Sequence, residues 1–501
     1  MTPEKKITRR RFLGSAAAAA AFTVVPRHVL GGPGHIAPSD KINLGYIGLG
    51  TQGLRELTGL LPNPEVHIAA VCDPNTDSTD YVDWSRHGLR NQIRKFLDNQ
   101  AWGEGVDGIR AGREVGREIV EAYYAGNKPS NSYRGCASYA DFRELLEKEK
   151  DLDAVKIMTP DHLHATIAIA AMKKGKHVVM HKPVANVLYE ARLAVETARE
   201  TQVATHLSAW SNRNSIALVR AWIEDGSIGP LREVHNWINK PIWPQWPACP
   251  TETPPVPEGF DWDLWLGPAL DRPYHPNYTH AVFRGWYDFG SGILGDMGIY
   301  SLWPVFTAFG LEAPVRVEAT PSFTCEIVDQ VSGIKENKVS FPNASTIRFT
   351  FAGHDNTPQP EIFWYDGGMR PPTPEELYAD NKEMPASGMM FVGDRGKILA
   401  DFLGNRPQLI PEQKMREHQG AEEAARERED RNSAWIAAFK GGEPSPGSFE
   451  SVKACTEAIC LGAVALRVGR KIEWDAASMK ITNLPEANEL LYRKYREGWE
   501  L

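Results

Sequence analysis

The stretch Gly48-Leu49-Gly50-Thr51-Gln52-Gly53 constrains this chain more than any other. It follows an apolar run, residues 42–47, that reads as a short buried strand. It precedes residues 54–61, whose leucines recur at helical spacing. A lone GxGxxG pattern says little, but between a strand and a helix each glycine has a use. Gly48 permits the tight turn, Gly50 lets backbone approach a pyrophosphate, and Gly53 lets helix and strand pack closely. Amides at the helix N-terminus then face the phosphates. A second strand-like run, residues 66–72, ends at Asp73, twenty residues after Gly53. A carboxylate there accepts hydrogen bonds from ribose hydroxyls and repels a 2′-phosphate, so the expected cofactor is NAD rather than NADP. The plainer reading of Asp73 is a turn residue before Pro74.

Strand and helix patterns then alternate. A helix is expected over 139–148, a strand over 154–158, a helix over 165–174, a strand over 177–180, a helix over 187–201 and a strand over 203–207. Such repetition implies a parallel sheet with helices on both faces, and ligands bind beyond the carboxyl ends of its strands. Residues 159–164 (Thr-Pro-Asp-His-Leu-His) and His181-Lys182-Pro183 fall at those ends. Residues 76–131 interrupt the alternation with two helix-like patches, around 84–97 and 113–124, which is far longer than an ordinary connection.

At 501 residues, with 42% hydrophobic and 24% charged side chains, the chain is an ordinary globular protein of two or three domains. Its net charge of -8 argues against nucleic acid as the main partner. The six cysteines form neither a CxxC pair nor a disulfide framework, and buried reduced thiols are expected. No metal constellation stands out. Residues 8–13 read Thr-Arg-Arg-Arg-Phe-Leu, and an alanine-rich apolar stretch runs from Phe12 to Val25. Fourteen residues are too few to span a bilayer, which takes about 20. The layout is that of a twin-arginine export signal, giving a periplasmic protein whose only membrane contact is a signal segment left uncleaved. The expected organisation is signal and spacer (1–40), a dinucleotide-binding domain (41–214) and a second α+β domain (215–501).

Taken together, Gly48–Gly53, Asp73, the 159–164 turn, Lys182-Pro183, Asn212-Arg213 and Gly295-Asp296-Met297-Gly298 resemble the Gfo/Idh/MocA oxidoreductases, a family that includes glucose-fructose oxidoreductase and inositol dehydrogenase. The resemblance implies a Rossmann domain followed by an α+β domain with an open, mainly antiparallel sheet, whose exposed face pairs copies into dimers or tetramers. It implies that Gly48, Gly50, Thr51, Gln52, Gly53, Asp73, Thr159, Pro160, His162, His164, Lys182 and Asn212 hold the cofactor, with Arg213 at the substrate. Lys182 would stabilise negative charge on the reacting oxygen. Two positions depart from the family pattern. His181 stands where glutamate is usual, and Tyr300 stands four residues after Asp296 where a histidine base is usual. Residues i and i+4 share a helix face, so Asp296 and Tyr300 would project into one site. Tyr300 then does acid/base work beside Lys182, or only shapes the pocket and leaves that work to His181.

In the second half, strand-like runs alternate with turns, and residues 393–396 (Gly-Asp-Arg-Gly) read as a hairpin turn. Between 237 and 286 lie six of the fifteen tryptophans, among many prolines. Indole faces suit pyranose rings, and Trp286, close before Asp296, is the expected sugar-facing residue. The resemblance, with the leader and the indole-rich loop, implies an exported NAD-dependent oxidoreductase of a sugar or glycoside with a retained cofactor. Two rivals stand beside it. One is a redox-neutral, NAD-dependent glycosidase that passes through a transient keto-sugar; glycosidases of similar fold lack the lysine at this motif. The other is a binding protein with a vestigial site.

Overall fold

The computed structural model describes residues 36–126, 133–210, 214–353, 359–418 and 432–501. The export-signal residues before 36, Asn212, Arg213 and most of the charged run 417–431 lie outside them.

The first sheet is six-stranded and wholly parallel, in the order β3-β2-β1-β4-β5-β6. Its strands are β1 (Ile42–Ile47), β2 (Val66–Cys72), β3 (Ala137–Tyr139), β4 (Ala154–Ile157), β5 (His177–Met180) and β6 (Thr205–Leu207). The helices between them are α1 (Thr51–Leu60), α2 (Gly88–Leu97), α3 (Arg113–Gly126), α4 (Phe142–Lys148), α5 (Asp161–Lys173) and α6 (Leu188–Thr201). β1 and β4, adjacent in the sheet, lie where the strand order reverses, the place where such sheets bind ligands. Two expectations shift. The segment read as helix from Tyr139 opens instead with β3, too short for alternation to register. α5 starts at Asp161 with Pro160 as its N-cap, so His162 and His164 sit in a helical first turn.

After α7 (Asn214–Glu224) and β7 (Leu231–Trp237) the chain runs through the proline-rich segment, which contains the short α8 (Trp262–Leu266). A π-helical turn, Leu294–Gly298, then passes directly into α9 (Ile299–Phe309). The remaining strands are β8 (Arg316–Pro321), β9 (Thr324–Val328), β10 (Val331–Lys335), β11 (Ser345–Thr350), β12 (Glu361–Tyr365), β13 (Gly388–Gly393), β14 (Gly396–Ala400), β15 (Gln408–Ile410), β16 (Ile472–Asp475) and β17 (Lys480–Ile481). Nine strands form the second sheet, β15-β14-β13-β7-β12-β11-β8-β16-β17, antiparallel except at β7–β12. β9 and β10 form a separate exposed hairpin. The 393–396 turn joins β13 and β14 as expected.

One apolar core runs through both sheets, from Val155 and Met180 to Val317, Ile347 and Phe391. The long helix α10 (Phe449–Val468) joins them, packing on α6, on α9 and on the π-helical turn. That turn is therefore braced from behind by buried α10 side chains such as Ile459. Cys72, Cys136, Cys455 and Cys460 are buried and free, whereas Cys249 and Cys325 are exposed, against the expectation of burial.

Candidate active site

A cleft of about 1360 Å³, mouth included, opens at the carboxyl ends of β1, β4 and β5. Its floor is the glycine loop. Gly48 has φ +98°, and a Cβ there would press on the Met158 carbonyl carbon at 2.5 Å. A Cβ on Gly53 would collide with the Gly48 carbonyl oxygen. On Gly50 it would meet only the Tyr81 ring, at 3.3 Å, so the bare backbone there leaves room on the cleft side. Gly50 caps α1 without a side-chain hydrogen bond, and the first turn carries no acidic residue. Its amides thus face the cleft ready for an anion. Asp73 is buried at the rim; Leu49 N–H (2.7 Å) and Asn75 N–H (2.9 Å) donate to its two oxygens. Burial raises its pKa and those amides oppose the rise. Thr159 Oγ1, also on the cleft wall, is buried without a hydrogen-bond partner. A bare-backbone floor, free helix amides, a rim carboxylate and an orphaned hydroxyl fit a dinucleotide.

The inserted segment after β2 roofs this floor. Thr51 Oγ1 donates to Val82 O at 3.3 Å, and Arg55 is ion-paired with Asp83. On the other side Thr76 N–H donates to Gly259 O at 2.9 Å, and Tyr81 packs on His280 with ring centroids 4.0 Å apart. His280 in turn faces Asp80 at 3.4 Å and holds that carboxyl down at about 2.

The charged centre lies beyond the loop. Lys182 Nζ is paired with Asp296, whose Oδ1 also accepts from Arg284 Nε at 3.1 Å. All three line the cleft, and the Lys182 side chain is only 4% exposed. Burial pulls the Lys182 pKa down, Asp296 opposes and Arg284 adds to the fall. Burial alone would raise Asp296, yet Lys182 and Arg284 hold it well below the usual carboxylate range. Lys182 Nζ lies 5.2 Å from the centroid of the Tyr300 ring, so a cation does stand against that tyrosine. Tyr300 Oη is 3.5 Å from His181 Nε2. Burial pushes His181 down to about 3, so its ring is neutral at ordinary pH. The spacing argument for Asp296 and Tyr300 therefore holds, on a π-helical turn rather than a regular helix.

Other candidates take different places. His164 does not line the cleft. Its ring nitrogens lie 2.6 Å from Pro183 O and 2.9 Å from Thr159 O, tying the turns after β4 and β5 together. His162 is wholly buried between Trp265 and Phe289, with Nε2 2.9 Å from Trp265 O. Neither side chain is on the cleft lining; both are engaged with backbone carbonyls of neighbouring segments. Trp286 is corrected outright. It is 1% exposed, stacks on Trp246 (5.7 Å) and donates its indole N–H to Asn277 O (2.7 Å). It pins the loop to the body, while the tryptophans on the cleft wall are Trp84, Trp243 and Trp265. Sequence reasoning also missed Arg284 and Asp161, the latter buried on the cleft wall at the start of α5. Among the described residues no His, Cys, Asp and Glu group is arranged to hold a metal ion, and no helix is long and apolar enough to cross a membrane.

Two models of one family match the chain. "Oxidoreductase family, NAD-binding Rossmann fold" covers residues 109–208, and "Oxidoreductase family, C-terminal alpha/beta domain" covers 235–358. Levoglucosan dehydrogenase of Pseudarthrobacter phenanthrenivorans is 36% identical over 96 residues, 19% of this chain and 24% of that protein. A glycosyl hydrolase family 109 protein of Streptomyces coelicolor is 30% identical over 231 residues, 45% of this chain and 40% of that protein. The matched stretches thus span less than half of these relatives. Among solved structures, the WlbA dehydrogenase from Bordetella pertussis, in complex with NADH and UDP-GlcNAcA, superposes with a TM-score of 0.50 at 14% identity, covering 87% of this chain and 99% of that one. At that identity the likeness shows the fold alone.

Proposed function

We propose that this chain, of which residues 109–208 and 235–358 match models of the Gfo/Idh/MocA oxidoreductase family, oxidises a hydroxyl of a sugar or glycoside with a tightly held NAD. One observation carries the reading: the Lys182–Asp296–Arg284 cluster and Tyr300 share a cleft with the glycine loop. The nicotinamide supplies the hydride acceptor. Lys182 stabilises the negative charge that develops on the substrate oxygen, in a site dry enough for that charge to count. Tyr300 takes the hydroxyl proton, and Asp296 holds the lysine in place and presents a hydrogen-bond acceptor. Asp73 meets the adenosine ribose and favours NAD over NADP. The roof over Gly50, tied down on both sides, favours a cofactor kept between turnovers. The leader points to export by the twin-arginine route to the periplasm, and we place pairing of copies on the exposed face of the second sheet.

The likeness to the glycosyl hydrolase family 109 protein supports a second reading, redox-neutral cleavage of a glycoside through a transient keto-sugar. Both are tested by incubating residues 31–501 with NAD and a panel of sugars and glycosides, levoglucosan included. Loss of two hydrogens from an intact sugar, abolished in Lys182→Ala, establishes the dehydrogenase. Release of the aglycone with no net NADH replaces it by the second reading.

A further inference from the structure

Lys156 is the third residue of β4, in the centre of the parallel sheet, and is 4% exposed. A buried ammonium group is tolerated only when paired. Its partner is Glu56 on α1, with Nζ to Oε2 at 2.8 Å. The other carboxylate oxygen, Oε1, accepts from Gln52 at 3.4 Å and lies 3.6 Å from His181 Nε2. That same Nε2 is 3.5 Å from Tyr300 Oη. A line of polar groups thus runs from inside the sheet to the cleft: Lys156, Glu56, His181, Tyr300.

We propose that Glu56, held by Lys156, is a positioning residue for proton transfer, placing a carboxylate where His181 becomes charged as it receives the proton that Tyr300 passes on from the substrate. The inference rests on the dehydrogenase reading above. The step balances as follows. The substrate O–H proton goes to Tyr300 Oη as the Tyr300 proton goes to His181 Nε2. The substrate carbon loses its hydride to oxidised nicotinamide, and its C–O single bond becomes a carbonyl. One proton remains on His181, as imidazolium, and leaves to solvent before the next turnover.

The electrostatics suit this order of events. Facing His181 are Glu56 from α1, His164 from α5, Lys182 beside it, Arg284 and Asp296 from the segment before α9, and Tyr300 from α9 itself; Lys156 from β4 reaches it only through Glu56. Burial, Lys182, His164 and Arg284 keep the resting ring neutral. In the tautomer that the proposal requires, the ring proton is on Nδ1 and Nε2 accepts. Lys156 and Lys182 also surround the two carboxylates, and Glu56 stays ionised down to about 2. A carboxylate opposite a bare ring nitrogen offers little in the resting state. Opposite the imidazolium it offers much, so its stabilisation grows with the charge that the reaction creates. Separations of 3.5 and 3.6 Å are those of a resting site, and such contacts tighten in the loaded complex.

The test compares full-length wild type with Glu56→Gln, Glu56→Asp and Tyr300→Phe. The ¹⁵N resonances of the His181 ring, identified by their loss in His181→Gln, need no substrate. The proposal expects Nε2 unprotonated at pH 7, and a shift of its signal in both Glu56→Gln and Tyr300→Phe. With whichever sugar the panel shows to be oxidised, Glu56→Gln should lower kcat about 10–100-fold and enlarge the solvent deuterium isotope effect. KM and NAD affinity should hold, and Glu56→Asp should recover part of the rate. His181 signals that ignore both substitutions overturn the proposal. So does a kcat loss in Glu56→Gln matched by equal losses of NAD affinity and melting temperature, the mark of a structural role. If His181 responds as expected while wild type oxidises no sugar, the polar line stands and it is the dehydrogenase reading that fails.

Discussion

Replacing Asp296 by asparagine removes a negative charge that two buried cations share. The Lys182 and Arg284 side chains are 4% and 13% exposed, and both contact the same Oδ1. Asparagine keeps one acceptor oxygen but removes the carboxylate that pairs directly with both cations, leaving only the more distant Asp161. Breaking a buried ion pair from one side costs about 3–5 kcal/mol. At about 2–4 °C per kcal/mol for a unit of this size, melting should fall by roughly 6–20 °C. The pH dependence gives a sharper check. The wild-type carboxyl titrates below its ordinary value, so its contribution is complete above the unfolded carboxyl pKa and is lost as pH falls through the folded one. The Lys182 pKa is already lowered by burial, with Asp296 opposing. Without Asp296 it falls further, and the variant escapes part of its penalty as pH rises toward the unfolded lysine value. The stability gap between the two proteins should be widest near neutrality and narrow at both acid and alkaline ends. Calorimetric melting from about pH 2 to about pH 10, which brackets the unfolded carboxyl value and approaches the unfolded lysine value, reads this directly. A gap below about 1 kcal/mol that stays flat across the range would refute the shared-charge argument.

The glycine loop predicts a contrast. Gly50→Ala should melt like wild type yet lose NAD affinity at least tenfold by calorimetry, since its Cβ meets only the Tyr81 ring and fills the pyrophosphate approach. Gly53→Ala should instead cost about 1–3 kcal/mol of stability, because its Cβ strikes the Gly48 carbonyl. Trp286→Ala should lose about 3–5 kcal/mol in denaturant melts while KM for the sugar in folded protein stays unchanged; a selective rise in KM would restore a sugar-facing role. Lys156→Met should destabilise by about 3–5 kcal/mol, whereas Lys156→Met/Glu56→Leu should recover most of that loss in the same melts.

What could be read from the sequence follows how local each cause is. The glycine loop announces itself because turn, close approach and helix start are all settled within six residues. The placing of Asp296 and Tyr300 was legible for the same reason, since the spacing survives a π-helical turn. Trp286 was misread because composition counts indoles but does not say which side of a loop they face. Its N–H is satisfied by Asn277, nine residues before it, and its face by Trp246, so it has nothing left for a sugar. The β9–β10 hairpin escaped notice because both strands are exposed on both faces and carry no in–out alternation. Arg284 left no local sign either, lying in an irregular segment whose path only the fold determines. Glu56 carries no local sign in the sequence, and the clue to it lies a hundred residues away. A lysine inside the four-residue apolar strand 154–157 must be buried when that strand sits in the middle of a parallel sheet, so it requires an anion on a neighbouring element. The helix after the glycine loop packs over β1 and β4 and is the nearest element able to provide one. Polar residues that break an apolar strand near the ligand end of such a sheet therefore point to a paired site, even where the partner cannot be named from sequence.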